Sequence, residues 1–459
     1  MIALPILWVR FGHWFYLSLD EGIVLDGARR VATGEVPYRD FFNITGPGSF
    51  WLYGLVFRIF GTSFPVARAL LCVELAAMCA LVCALVARFG RKSLAIASGL
   101  LFLTIPLTTL FPVYVTHRWD SNLFALAALV CALGGWVGTA GVLAALAAWT
   151  TPPLLWMLPV LFAIARSERR RYLGGVAAVS IPCCAVLVSR GALNGMVSSL
   201  LWDAANYGVA NRLPYGALAG TVWRNWIPVL LPLAGGALFS VALVLRRDRL
   251  LAGVAAASVA ALVACFPRAG AAQLLFASAF FFALFSCSLA VILPRRSQGW
   301  CAGVVLLAAV ALGVTGRPAT ALKRIETPAG GLAVSRLHFV TLNELLVTIR
   351  PHDRIFVYPY LPALYFVLGA DNPTRYSWLQ PGMMGQAEER GAIADLILKP
   401  PRWVVWHELT PAYILKNWPS GDRSRLRFPE MEAFLLANYH EVNPDGVVPV
   451  GYRLLEKNL

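Results

Sequence analysis

Two adjacent carboxylates, Asp20 and Glu21, follow an apolar stretch and open a segment with helical spacing. An acid there can cap the helix and complement its dipole, or it can accept a proton from a nucleophile beside the membrane. Asp40 follows Tyr38-Arg39 in a loop expected to fold back near Asp20, where it can bind an acceptor, a metal or Arg39. Asp120 closes the run His117-Arg118-Trp119-Asp120 between two apolar segments, and His117 or Arg118 could meet a phosphate. The same residue types also serve as plain interfacial anchors. Arg212, Arg224 and Arg268 stand near segment ends, where arginine snorkels to lipid or binds phosphate. Arg268 is alone in the short loop Phe266-Pro267-Arg268.

The elements that must position these groups are membrane helices. Of 459 residues, 58% are hydrophobic and 14% charged, with a mean hydropathy of +0.66; soluble chains average about 45–50% apolar and 25% charged. The net charge of +15, from 39 Lys+Arg against 24 Asp+Glu, sits in short basic clusters between apolar runs. That is the pattern of cytoplasmic loops and argues against nucleic acid as a partner. The nine cysteines lie in or beside apolar runs, none after Cys301, so they read as small core residues without a disulfide framework or zinc site.

A helix needs about 20 apolar residues to cross a bilayer. Spans are predicted at 2–18, 65–87, 93–111, 121–138, 173–189, 225–245, 250–266, 271–293 and 300–316. The stretch before Asp20 is interrupted by Arg10 and His13 and lacks a small-residue cleavage site, so it reads as a short first span. If the clusters around Arg88, Arg169, Arg246 and Arg295 share one side, the segment 139–165 crosses twice, broken at Pro152-Pro153. The fold class is then an α-helical polytopic membrane protein of about 11 crossings with a small α/β domain at its end. Residues 1–316 form the membrane part and 317–459 the extracytoplasmic part. The outer face carries the loop 19–64, a second loop near 191–224 and everything after Gly316. Trp223 and Trp226 read as interfacial aromatics.

In the loop 19–64, Asp20 is expected to cap a helix from Glu21 to about Thr33. A second helix, Ser49 to Phe60, is too short to span and lies at the interface. After Gly316, strands are predicted at 354–360 and 402–407, helices near 337–349, 386–398 and 430–438, and a hairpin over 442–455 turning at Asp445-Gly446. Tyr358-Pro359-Tyr360-Leu361-Pro362 and His407-Glu408 read as structural turns. No GxGxxG or P-loop supports nucleotide binding there.

The order Leu19-Asp20-Glu21-Gly22, then Gly34-Glu35-Val36-Pro37-Tyr38-Arg39-Asp40-Phe41, Gly46-Pro47-Gly48, Phe60-Gly61-Thr62-Ser63 and Arg68 resembles the GT-C superfamily of membrane glycosyltransferases. Within it, the chain is similar to the protein O-mannosyltransferases and the lipid A aminoarabinose transferase. The resemblance implies inverting sugar transfer from a polyprenyl-phosphate donor to a lipid, glycan or protein acceptor at the outer face of the inner membrane. It implies Asp20, with Glu21 and Asp120, as catalytic carboxylates. Tyr38, Arg39, Asp40, His117, Arg118, Arg212 and Arg268 are then expected to bind substrate, and a divalent metal ion is an open cofactor. Two rival classes are a lipid-linked sugar flippase and a non-catalytic scaffold of envelope assembly. Transporters place polar sites at mid-membrane and repeat internally; no repeat is visible, and Glu74 is the acidic exception inside a span.

Overall fold

Apolar runs become helices wherever no proline or glycine interrupts them, and the interruptions set the architecture. The computed structural model describes residues 3–17, 19–109, 113–315, 322–442 and 451–458. Helix α1 covers Ala3–Phe11, α2 Leu19–Ala32, α3 Gly48–Phe60 and α4 Phe64–Val86. Ser63 starts α4 by accepting a hydrogen bond from the Val66 amide, with Pro65 in the first turn. Next come α5 (Lys92–Thr108), α6 (His117–Leu133), α7 (Val137–Thr150) and α8 (Met157–Ala165). Pro152 and Pro153 divide α7 from α8 through a short 3₁₀ turn, as the sequence predicts. The helical series continues with α9 (Arg169–Ser189), α10 (Leu193–Ser198), α11 (Ala204–Ala210), α12 (Ile227–Leu245), α13 (Arg249–Val263), α14 (Ala271–Phe276), α15 (Ser278–Ile292) and α16 (Arg295–Thr315).

Three helices among the described residues are long and apolar enough to cross a membrane: Phe64–Val86, Arg169–Ser189 and Trp223–Leu245. The predicted span 2–18 is corrected. Its helix ends at Phe11, and beyond it the chain runs extended, Phe15 N donating to Ala333 O at 2.9 Å and Ala333 N to His13 O at 2.6 Å. The predicted span 271–293 is divided at Ala277. Small residues let α7 and α9 touch backbone to backbone. A Cβ on Gly141 would stand 2.1 Å from the Tyr172 carbonyl, so only glycine fits.

The C-terminal part begins with an antiparallel pair missed by the sequence reading, β1 (Leu322–Thr327) and β2 (Gly330–Ser335). It continues through α17 (Arg336–Thr348), β3 (Ile355–Tyr358), α18 (Ala363–Leu368), α19 (Gln386–Leu398), β4 (Trp403–His407), α20 (Pro411–Asn417), α21 (Pro429–Asn438), β5 (Tyr439–Glu441) and β6 (Tyr452–Lys457). The second sheet has the order β3-β4-β6-β5, parallel between β3 and β4 and antiparallel elsewhere. The predicted turn at Asp445-Gly446 lies outside the described residues, as does Gly316. One buried apolar cluster runs from Leu71 and Leu75 of α4 through Leu25 of α2 to Leu332, Leu361 and Leu364. The C-terminal part therefore shares its core with the helices that carry Asp20.

Candidate active site

Asp20 lies within the first turn of α2, one residue inside the helix start at Leu19 rather than at the expected cap position. Its Oδ2 accepts a hydrogen bond from the Tyr114 hydroxyl at 3.2 Å. The neighbouring Glu21 turns the other way, into the core. It is fully buried, pairs with the equally buried Arg68 at 2.8 Å, and accepts from the Val115 amide at 3.2 Å. Arg68 also donates to the carbonyls of Val113 and Trp14, each at 2.8 Å. Burial pushes the Glu21 carboxyl up to about 7, against the opposing pull of Arg68 and the Val115 amide. This clamp fixes the extended stretch 113–116 on both sides of Tyr114, and so sets the hydroxyl that orients Asp20.

Across the pocket, Arg118 rises from the first turn of α6, which Thr116 caps through its side chain. Its guanidinium makes no hydrogen bond or ion pair among the described residues and lies within electrostatic reach of Tyr207 and Cys265. Arg268 reaches the same Tyr207, and donates from both terminal nitrogens to the Asn417 carbonyl at 3.2 Å. Tyr360 is within reach of Asp20, Tyr207 and Arg268 and packs edge-on against Trp418 at 4.9 Å. Burial pushes both phenols above their ordinary value. The turn Pro359 to Pro362 is held on α2 because Gly22 has no side chain: a Cβ there would stand 2.2 Å from the Ala363 nitrogen. Asp20, Arg118 and Arg268 thus all lie within electrostatic reach of Tyr207, with Tyr114 bonded to Asp20 and Tyr360 near it.

No protein-family model and no curated protein matches the chain in sequence. Solved structures match over nearly its full length. ArnT from Cupriavidus metallidurans bound to undecaprenyl phosphate superposes with a TM-score of 0.60 at 13% identity, over 99% of this chain and 96% of that one. Its apo state gives 0.58 at 12% identity, over 99% and 96%. The chain therefore shares the fold of ArnT. The Archaeoglobus fulgidus oligosaccharyltransferase in complex with Zn and sulfate is a further neighbour, with a TM-score of 0.55 at 11% identity, over 98% of this chain and 72% of that one.

On this scaffold the other sequence candidates are engaged locally. Asp40 pairs with Arg39 at 2.7 Å and accepts from the Val36 amide at 2.7 Å; the Arg39 hydrogen bond holds its carboxyl below the usual range. Arg39 also donates to the Arg190 carbonyl at 3.2 Å. Tyr38 has a left-handed φ of 68° and donates its hydroxyl to the Thr45 carbonyl, closing the loop on itself. Among the described residues no contact joins Asp40 to Asp20. His117 bonds Thr151 Oγ1 through Nδ1 at 2.8 Å, tying α6 to the break after α7. Arg212 is exposed and lies over the Phe266 ring at 5.8 Å, while Arg224 lies over Trp223 at 5.5 Å. Asp120 is buried, accepts from the Ser49 hydroxyl and touches Glu74. Among the described residues no three His, Cys, Asp or Glu side chains gather to hold a metal.

Sequence reasoning did not select Tyr114, Tyr207 or Tyr360 for the site. Tyr360 was visible as part of a proline-flanked strand end, but its dock on α2 depends on a contact between residues 22 and 363 that no local pattern encodes. Arg68 and Glu74 did carry a signal, since an ionisable residue inside a span needs a partner.

Proposed function

We propose that this protein transfers a sugar from a polyprenyl-phosphate donor to an acceptor at the outer face of the inner membrane, with inversion at the anomeric carbon. The observation that carries the reading is that Asp20, Arg118 and Arg268 all lie within electrostatic reach of Tyr207. A similar fold is known bound to undecaprenyl phosphate. The acceptor's oxygen or nitrogen attacks C1 as the C1–O bond to phosphate breaks. The bonding pair leaves with the lipid phosphate, and the acceptor's proton passes to Asp20. Arg118 and Arg268 neutralise the departing phosphate; being preorganised, they need no rearrangement as charge develops. The Tyr114 hydroxyl orients Asp20, and the neutral phenols of Tyr207 and Tyr360 donate to sugar or phosphate oxygens. Glu21 acts through Arg68 as a positioning residue. The proposal takes about eleven crossings, counting 139–165 as two, and takes residues 317–459 as an extracytoplasmic part.

The test is purification in detergent, a panel of polyprenyl-phosphate sugars, and comparison of native protein with Asp20→Asn. Loss of a general base typically lowers turnover by about 10²–10⁴, whereas unchanged transfer or donor hydrolysis in the variant would remove Asp20 from the mechanism. A native protein that turns over no donor but moves lipid-linked sugar across vesicles would instead be a flippase.

A further inference from the structure

The pocket leaves one buried acidic pair unused. Glu74, on α4, is 2% exposed and Asp120, on α6, is fully buried. Asp120 Oδ2 accepts from the Ser49 hydroxyl at the start of α3, and Tyr53, one turn on in the same helix, donates to Glu74 Oε2 at 3.5 Å, so one helix face holds both acids within reach of each other. The remaining oxygens, Glu74 Oε1 and Asp120 Oδ1, receive no hydrogen from any described donor. Arg68, which reaches Tyr53, is committed to Glu21. Two buried carboxyls so placed are satisfied by a proton held between them, because two bare charges there repel with no described cation paired to either.

The placement gives this pair a task. Asp120 stands two residues after Arg118, about 200° around the helix. Asp120 therefore faces α3 and α4 while Arg118 faces Tyr207 and Cys265 on the opposite side. Through Ser49, Tyr53 and Glu74, the start of α6 is tied to α3 and α4.

We propose that Glu74 and Asp120 form a singly protonated acid pair that locks the first turn of α6 onto α3 and α4, making Glu74 a positioning residue for Arg118 and the lipid phosphate it binds. The inference deepens the transferase reading and presupposes its phosphate pocket. Asp120 then acts inside the helix packing and not on substrate, and the proton it shares replaces a metal as the bridge between the two acids.

Infrared difference spectra and binding of undecaprenyl phosphate to the full-length protein in detergent test the pair separately from turnover. In the Glu21→Gln background, which removes another buried acid, the protein is expected to show the C=O stretch of a buried carboxylic acid, slow to shift in D₂O and absent when Glu74→Gln or Asp120→Asn is added. Glu74→Gln supplies an amide donor to Asp120 and keeps lipid-phosphate affinity close to native. Glu74→Ala leaves Asp120 alone and weakens that affinity by about tenfold or more, as loss of a buried charged partner does. Size-exclusion profiles and melting temperatures identify any variant that fails to fold, and the infrared band is read before either member of the pair is changed. A spectrum in the Glu21→Gln background with two carboxylates and no acid band overturns the shared proton. Native-like affinity in a folded Glu74→Ala overturns the positioning role. An acid band in that background, with a native protein that binds no lipid phosphate, refutes the transferase reading and the role toward Arg118, while the pair itself stands.

Discussion

Replacing Arg68 with methionine removes the one cation beside Glu21 while keeping most of the side-chain volume. The native guanidinium is fully buried, sits 2.8 Å from Glu21, satisfies two backbone carbonyls, and lies over the Phe64 ring at 4.7 Å. Breaking such a pair from one side typically costs about 3–5 kcal/mol, because the remaining charge is stranded. Glu21→Gln should cost less, about 1–3 kcal/mol, since Arg68 retains its carbonyl acceptors. The double variant Glu21→Gln/Arg68→Met should be milder than the sum of the two by about 2 kcal/mol.

The pH dependence follows from the same geometry. The folded-state value of about 7 lies above the ordinary 4.5, so the folded protein holds this proton more tightly than the unfolded chain. The stability contributed is full below 4.5 and is lost as pH rises through 7, on the order of 3 kcal/mol in all. Glu21→Gln should flatten that slope, and Arg68→Met should extend it above 7. Unfolding in mixed detergent micelles, followed by tryptophan fluorescence across pH, measures both effects. Single variants whose costs add to within about 0.5 kcal/mol would refute the clamp. So would a slope unchanged by Glu21→Gln.

Two more outcomes are expected. Gly22→Ala would drive a Cβ into the Ala363 backbone; it should destabilise by about 1–3 kcal/mol or more and speed limited proteolysis after residue 360, and native resistance would contradict the dock. His407 stacks on Tyr452 at 4.7 Å, and burial pulls its imidazole from 6.5 down to about 4, only partly opposed by its bond to the Tyr360 backbone. The folded state excludes this proton, so stability is lost as pH falls from 6.5 towards 4; His407→Phe should abolish that loss in an acid melting series.

What the sequence made legible was whatever a local rule governs. Apolar length located α4, α9 and α12, Pro152-Pro153 located the break between α7 and α8, and glycine boundaries located α3. Strands β3 and β4 and helices α17, α19 and α21 fell within a few residues of their predicted limits, whereas α18 and α20 were not predicted and β5 ends before the predicted hairpin begins. The strand pair β1 and β2 went unseen, because Lys323, Arg324 and Glu326 dilute its alternation. The span 2–18 was overextended because apolar content alone does not reveal that residues 13–15 pair with Ala333. Asp20 was selected from its place beside a motif, yet its surroundings depend on pairings such as 20 with 114 and 21 with 68 that only packing brings about. Charge type flagged Glu74 and motif position flagged Asp120, but not that these two, 46 positions apart, come together.

The extended pairing of residues 13–15 with Ala333, and the seat of Ala363 on Gly22, join the two ends of a 459-residue chain. A ribosome delivers Asp20 to the membrane long before it makes the residues that cover it. The half-made protein therefore carries Asp20 on an uncovered helix, and its surroundings are completed only when the last third of the chain arrives. On the transferase proposal, activity is tied to the end of synthesis, and chains truncated before about residue 360 should insert without acquiring it.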